Sequence, residues 1–221
     1  MTSAYTCVLF DLDGTIVDSA PGITATLAYT LEKVGRPVPP PAKLLEYVGP
    51  PILDSFEQLA GMTEVEAHQA LAVYRERYLA HGVGNVTIYP GLADLLKAIH
   101  ESPLALSLAT SKPESLARIA LTSLDVIQYL DVLTGASEDE VRSAKADVVE
   151  EALIRLRALG ADTSRPVMIG DRHYDVEGAA AHGVPTIFVT WGYGSPAEQV
   201  GTVGVADTAA ELHELLLGHR K

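Results

Sequence analysis

Two kinds of hydrophobic pattern alternate along the chain. Short, nearly unbroken apolar runs occur at residues 5–10, 104–109, 167–169 and 186–189, with a weaker one at 131–134. Runs of this length, rich in strand formers, predict strands buried on both faces, as in a parallel sheet. Helical spacing lies between them: Val149, Leu153, Leu156 and Gly160 recur at intervals of three and four, with Ala152 and Leu159 beside them. Strand alternating with helix predicts an α/β fold built on a parallel sheet.

The alternation stops between Asp18 and Gly84, where no strand pattern is visible. Ile23, Leu27, Leu31 and Val34 form one helical stripe, and Ala67, Leu71, Tyr74 and Tyr78 form another. Thr63 followed by Glu66 has the spacing of a capping box and predicts the start of the second helix. Pro37 and the run Pro39-Pro40-Pro41 separate the first helix from the next. A single crossover needs only ~10–15 residues, so this stretch reads as an all-helical insertion after the first strand. Tyr89-Pro90-Gly91 marks the return to the sheet.

Composition narrows the function classes. The chain has 221 residues, 48% of them hydrophobic and 20% charged, as in an ordinary globular protein. Its net charge of −13 argues against a broad nucleic-acid-binding face, which needs clustered Lys and Arg. The one cysteine, Cys7, excludes an intrachain disulfide and an all-cysteine zinc site. No apolar run approaches the ~20 residues that span a bilayer, and the run at residues 5–10 is too short for a signal peptide and lacks a basic flank. A soluble cytoplasmic protein with no membrane partner is expected.

The polar residues of interest follow the expected strands, where a parallel sheet places its ligands. Asp11-Leu12-Asp13-Gly14-Thr15 follows the first run. Two carboxylates leaving a buried strand are costly unless a cation or protons compensate them. Ile16 and Val17 stand where a calcium loop would continue its oxygen ligands, so that reading fails. Thr110-Ser111-Lys112-Pro113 follows the run at 104–109, with Pro113 expected as the first residue of a helix whose free N–H groups suit a phosphate. Lys145 stands at the expected start of a helix, where a cation opposes the macrodipole and calls for an anion. Gly170-Asp171-Arg172-His173-Tyr174-Asp175 follows the run at 167–169, with Asp171 and Asp175 on one side if helical. Carboxylates converging at one sheet edge point to a hard divalent cation, and magnesium fits because it leaves room for water and substrate phosphate. His173 reads as solvent-facing or as a supporting residue, and Trp191 and Tyr193 as packing in a loop.

These motifs, in this order, resemble the haloacid dehalogenase-like hydrolases over nearly the whole chain: Asp11 to Thr15, then Thr110, Lys145, and Gly170-Asp171 with Asp175. Gly49-Pro50-Pro51, Ala109 to Pro113, Gly135-Ala136-Ser137 and Trp191-Gly192-Tyr193-Gly194 resemble the phosphoglycolate-phosphatase-like branch, which includes members named 5′-nucleotidases. One position departs from the pattern: Ala146 follows Lys145 where many relatives carry proline, which leaves Lys112 as a fallback for the lysine role. The resemblance implies a modified Rossmann core, residues 1–16 and 86–221, carrying a helical cap at 17–85 hinged near Thr15 to Ser19 and Asn85 to Pro90.

It further implies a phosphomonoester hydrolase of small metabolites that uses Mg2+, phosphoglycolate or a nucleoside 5′-monophosphate being the expected substrate type. Asp11 would be the nucleophile that becomes an aspartyl-phosphate, and Asp13 the acid and base. Thr110, the Ser111 N–H and Lys145 would hold the phosphate. Asp11, the Asp13 carbonyl, Asp171 and Asp175 would hold the metal. Gly49, Pro50 and Pro51 are the candidate specificity loop of the cap. The alternatives are a phosphomutase of the same superfamily and a non-catalytic binding protein that keeps the fold. Monomer and dimer are both left open.

Overall fold

The structure, a computed structural model, describes residues 3–218. Its strands are β1 (Cys7–Phe10), β2 (Val17–Asp18), β3 (Thr87–Ile88), β4 (Ala105–Pro113), β5 (Val132–Ala136), β6 (Pro166–Gly170), β7 (Thr186–Val189) and β8 (Gly204–Ala206). Its helices are α1 (Ala20–Lys33), α2 (Pro41–Leu44), α3 (Ile52–Gln58), α4 (Glu64–Arg77), α5 (Leu92–His100), α6 (Glu114–Ser123), α7 (Lys145–Ala158), α8 (His173–Ala180) and α9 (Ala209–Leu217). The apolar runs all become strands of one six-stranded parallel sheet, in the order β5-β4-β1-β6-β7-β8.

Both faces of that sheet are covered, which is why its strands are continuously apolar rather than alternating. Val8 and Phe10 of β1 point to one side, where α5, α6 and α9 supply Leu95, Leu96, Ile99, Leu121, Leu212 and Leu216. Leu9 points to the other, against Val148, Val149, Ala152 and Leu153 of α7 and Ala179 of α8. Strand β1 lies between β4 and β6, with Phe10 in register with Leu108 and Ile169. The chain order reverses at this point, so the carboxyl end of β1 opens into the crevice where such sheets bind ligands.

Helices α1 to α4 make a second hydrophobic cluster of their own, built on Ile23, Leu27 and Leu31 of α1, Phe56 of α3, and Leu71 and Tyr74 of α4. The expected capping box at Thr63 is present: Thr63 Oγ1 accepts from the Glu66 N–H, and the Glu66 carboxylate accepts from the Thr63 N–H. Such a cap contributes about 1 kcal/mol to the helix start. Tyr47 to Pro51 form the turn between a short 3-10 segment, Leu45–Tyr47, and α3, with Pro51 as the N-cap of α3.

Three details differ from the sequence expectation. Val17–Asp18 pairs antiparallel with Thr87–Ile88, a two-residue ladder at the neck of the helical unit that is too short to leave an alternating pattern. Strand β4 runs on through Thr110, Ser111 and Lys112, with its pairing to β5 interrupted between Ala109 and Pro113. Pro113 is therefore the N-cap of α6, not its first residue. The edge strand β8 has no counterpart in the hydrophobic pattern, because three residues with Val205 exposed make no apolar run. No helix among the described residues is long and apolar enough to cross a membrane.

Candidate active site

Asp11 and Asp13 leave the carboxyl end of β1 on a turn whose geometry requires glycine. The Asp11 N–H still donates to the Ile169 carbonyl at 2.9 Å, continuing the sheet by one bond. Gly14 then takes φ +88°, a conformation that L side chains rarely adopt. Its missing side chain also makes room for Asp171: a Cβ at Gly14 would lie 2.4 Å from Asp171 Oδ2, and one at Gly192 would lie 2.3 Å from the same oxygen. Asp171 is fully buried. The Thr15 hydroxyl donates to Asp171 Oδ1 at 3.1 Å and the Tyr193 N–H to Oδ2 at 2.7 Å.

Asp175 follows from the first turn of α8, where its Oδ2 accepts from the Arg172 N–H at 3.0 Å. Asp11, Asp171 and Asp175 each place a carboxylate oxygen within 4.8 Å of the others, and all three are buried. Lys145, the first residue of α7, reaches into this group. Its Nζ lies 2.7 Å from Asp11 Oδ1 and 2.9 Å from Asp175 Oδ1, and it also donates to the Ala109 carbonyl at 3.1 Å. The anion that its helix-terminal position called for is thus a pair of carboxylates. Lys145 is the ion-pair partner of the buried Asp175 Oδ1.

The second lysine has a separate partner. Lys112 Nζ donates to both oxygens of Asp13, at 2.9 and 3.0 Å, and the side chains are almost wholly buried. Thr110 and Ser111 precede it on β4, buried beside the end of β1, and the Thr110 hydroxyl accepts from the Lys112 N–H at 3.3 Å. Of the two lysines considered for one role, Lys145 stands on Asp11 and Lys112 on Asp13.

Charge is unbalanced here. Burial pushes the Asp11 carboxyl up to about 6, against the pull of Lys145 and with the push of Asp175. Burial, then Asp175 and Asp11, hold the Asp171 carboxyl well above the usual carboxylate range. Burial opposes the charge on Lys145, but Asp11 and Asp175 more than offset it and its pKa is raised. Burial opposes the Lys112 charge as well, and Asp13 outweighs it. Three buried carboxyl groups stand beside one ammonium, so fully ionised they carry excess negative charge. Hard oxygen donors with that charge suit a magnesium-sized divalent cation.

Beyond Asp13 the crevice narrows to a cavity of about 60 Å3 between the sheet and the helical unit. Asp13, Ser111 and Lys112 line it from the sheet; Tyr47, Gly49, Pro50 and Tyr78 line it from the helices. Pro51 is buried beside them as the cap of α3. Gly49 has φ +113°, and a Cβ there would meet Arg172 Cγ at 3.2 Å.

Several residues act here that the sequence left without a role. Arg172 donates to the Val48 carbonyl from Nη1 and to Glu198 Oε2 from Nε at 2.9 Å, joining the Asp171 loop to the helical unit. His173 does not enter the carboxylate cluster; its N–H and Nδ1 both engage Glu198 Oε2. Trp191 Nε1 donates to the Thr15 carbonyl at 3.0 Å. The Tyr193 hydroxyl donates to Asp18 Oδ1 at 2.8 Å and accepts the N–H groups of Ser19 and Ala20 at 2.8 and 3.0 Å, gripping the neck. The visible signal was Trp191-Gly192-Tyr193-Gly194 directly after an apolar run, where small residues beside aromatics announce close packing.

Compared with known proteins, residues 8–189 match the family described as haloacid dehalogenase-like hydrolase. The chain is 41% identical to the tyrosine-protein kinase PtkA of Mycobacterium tuberculosis over 85% of its own length, and spans 62% of the length of that relative. It is 34% identical to a 5′-nucleotidase of Pseudomonas aeruginosa over 97% of both chains. Among solved structures, a predicted phosphatase from Clostridium acetobutylicum superposes with a TM-score of 0.89 at 36% identity, over 95% of this chain and 97% of the other.

Proposed function

Because this chain belongs to the haloacid dehalogenase-like hydrolases, we propose that it is a magnesium-dependent hydrolase of small phosphomonoesters acting through Asp11. The observation that carries this reading is the convergence at the end of β1. Asp11 lies among Lys145, Asp171 and Asp175, and Asp13, two residues on, faces the cavity beyond.

The Asp11 carboxylate attacks phosphorus, an acyl phosphate forms on Asp11, and the ester P–O bond breaks. Asp13 gives a proton to the departing alcohol oxygen. In the second half Asp13 takes a proton from water, the water oxygen attacks the same phosphorus, and inorganic phosphate leaves with Asp11 restored. Thr110, the Ser111 N–H and Lys145 hold the transferring oxygens. Asp11, the Asp13 carbonyl, Asp171 and Asp175 are the residues that would hold magnesium, whose charge offsets the repulsion between carboxylate and phosphate. Helices α1 to α4 act as a lid over the site, within residues 17–85, the core being residues 1–16 and 86–221.

The size of the cavity bears on the substrate. About 60 Å3 is well below the roughly 300–1,000 Å3 of sites that take drug-sized ligands. A short leaving group of the phosphoglycolate kind fits this better than a nucleoside, which needs the lid displaced. The test is phosphate release across a panel of phosphorylated metabolites, with magnesium and with chelator. Activity on compact esters that vanishes in chelator is expected, together with a hydroxylamine-sensitive phosphoryl-enzyme. No release from any phosphomonoester refutes the proposal.

A further inference from the structure

One buried polar group near the cavity has no part in that mechanism. Tyr78 is 1% exposed, and among the described residues no acceptor takes the proton of its buried hydroxyl. The ring is well seated: it stacks on Tyr74 with centroids 5.5 Å apart, and Gly82 leaves it room, since a Cβ there would come within 2.3 Å of Tyr78 Cδ2. Tyr78 opens a single π-helical turn, Tyr78–Gly82, immediately after α4, a local irregularity that recurs at functional sites. The packing would accept phenylalanine, so the hydroxyl is an avoidable burial cost that calls for an explanation.

Its neighbours say what it lacks. The Lys112 ammonium stands 4.8 Å from the ring centroid, between Tyr78 and Asp13, and donates to both Asp13 oxygens. An ammonium carries donors only, so Lys112 can feed the Tyr78 oxygen but cannot take its proton. What remains is a free O–H donor beside a cation, on a side chain that lines the same cavity as Asp13.

Resting on the assignment of Asp13 as the residue that protonates the leaving oxygen, we propose that Tyr78 is a specificity-determining residue. Its hydroxyl donates to an acceptor oxygen, a hydroxyl or carboxylate, carried by the leaving group and separated from the ester oxygen by two carbon atoms. A leaving group held at Asp13 occupies the cavity that Lys112 and Tyr78 also line. An ester with only hydrocarbon there would leave the donor unpaired, and buried polar sites discriminate strongly against partners that lack the matching group.

The experiment compares 2-hydroxyethyl phosphate and phosphoglycolate with propyl phosphate, on the wild type and on Tyr78→Phe, with p-nitrophenyl phosphate as a general substrate. The wild type should favour the acceptor-bearing esters in kcat/KM. In Tyr78→Phe the ratio of acceptor-bearing to propyl ester should fall by about tenfold, with a melting temperature equal to or above that of the wild type. An unchanged ratio in the variant overturns the inference. So does a wild type that hydrolyses p-nitrophenyl phosphate but shows no preference for acceptor-bearing esters, and in that case the phosphatase reading stands. A wild type without activity on any of these esters overturns both.

Discussion

Lys145 Nζ lies 2.7 Å from Asp11 Oδ1, inside the protein and at the first turn of a helix. The position is unfavourable for a cation on two counts, burial and the helix dipole, which the carboxylates of Asp11 and Asp175 offset, with the Ala109 carbonyl accepting a further hydrogen bond. Lys145→Met should therefore destabilise the metal-free protein by about 3–5 kcal/mol, the usual cost of removing one partner from a buried pair. Chemical denaturation in chelator checks this. Loss of phosphatase activity by at least a hundredfold should accompany it.

Asp11→Asn should abolish turnover and the phosphoryl-enzyme while keeping the fold, since the amide is nearly isosteric and a poor nucleophile. Near-normal activity in the purified variant would exclude the covalent route.

The same variant should reveal the sign of the Asp11 titration. Burial raises this carboxyl from 3.8 to about 6 in the folded chain. The folded state then binds more protons than the unfolded state across that interval. The contribution of Asp11 to stability is present in full below about 3.8 and is lost as pH rises through about 6. The stability of Asp11→Asn relative to the wild type should therefore increase between pH 4.5 and 7 in chelator. Urea melts at several pH values test this, and a difference independent of pH would contradict it.

Magnesium should raise the melting temperature of the wild type, by about 2.7 kcal/mol of stabilisation at a hundred times its dissociation constant. Asp171→Ala should lose most of that effect, because Asp171 sits at the centre of the cluster with both oxygens oriented by Thr15 and Tyr193. Calcium, which prefers more ligands and looser geometry, should inhibit turnover. Full activity in excess chelator would refute the metal assignment.

Tyr193→Phe should cost about 2 kcal/mol. The lost hydroxyl serves Asp18 as a donor and the Ser19 and Ala20 N–H groups as an acceptor, and Ser19 is fully buried. Thermal unfolding measures the loss. A variant as stable as the wild type would mean that the neck repacks around water.

Gly49→Val should change relative rates among substrates more than it changes magnesium affinity. A branched side chain at φ +113° strains the backbone and presses on Arg172, which ties the Asp171 loop to the Val48 carbonyl. Steady-state kinetics on a small panel of esters decides: one common factor for all substrates would make the loop purely structural.

What the sequence determined by itself was the frame. A parallel strand must be apolar on both faces, so β1, β4, β6 and β7 stand out as unbroken runs, and residues placed just after them project from the carboxyl edge of the sheet. That is why Asp11, Asp13, Thr110 and Asp171 are legible as a group from the sequence. The helical unit is legible for a similar reason, because stripes at 3.6-residue spacing and the Thr63 to Glu66 cap are local signals.

Tertiary structure alone decided which charge faces which. The motif order favours Lys145 and leaves Lys112 as a fallback for one role, yet the strand carries Lys112 to Asp13 and the start of α7 carries Lys145 to Asp11. The wedging of Asp171 between Gly14 and Gly192, the grip of Tyr193 on the neck, and the Arg172 contact with Val48 join residues more than a hundred positions apart or belonging to different loops. No period or spacing records such contacts, because they arise only when separately folded segments are packed together. The Tyr78 hydroxyl is of the same kind: its place in the apolar stripe is written in the local pattern, but that its proton meets no acceptor among the described residues is a property of the packed interior.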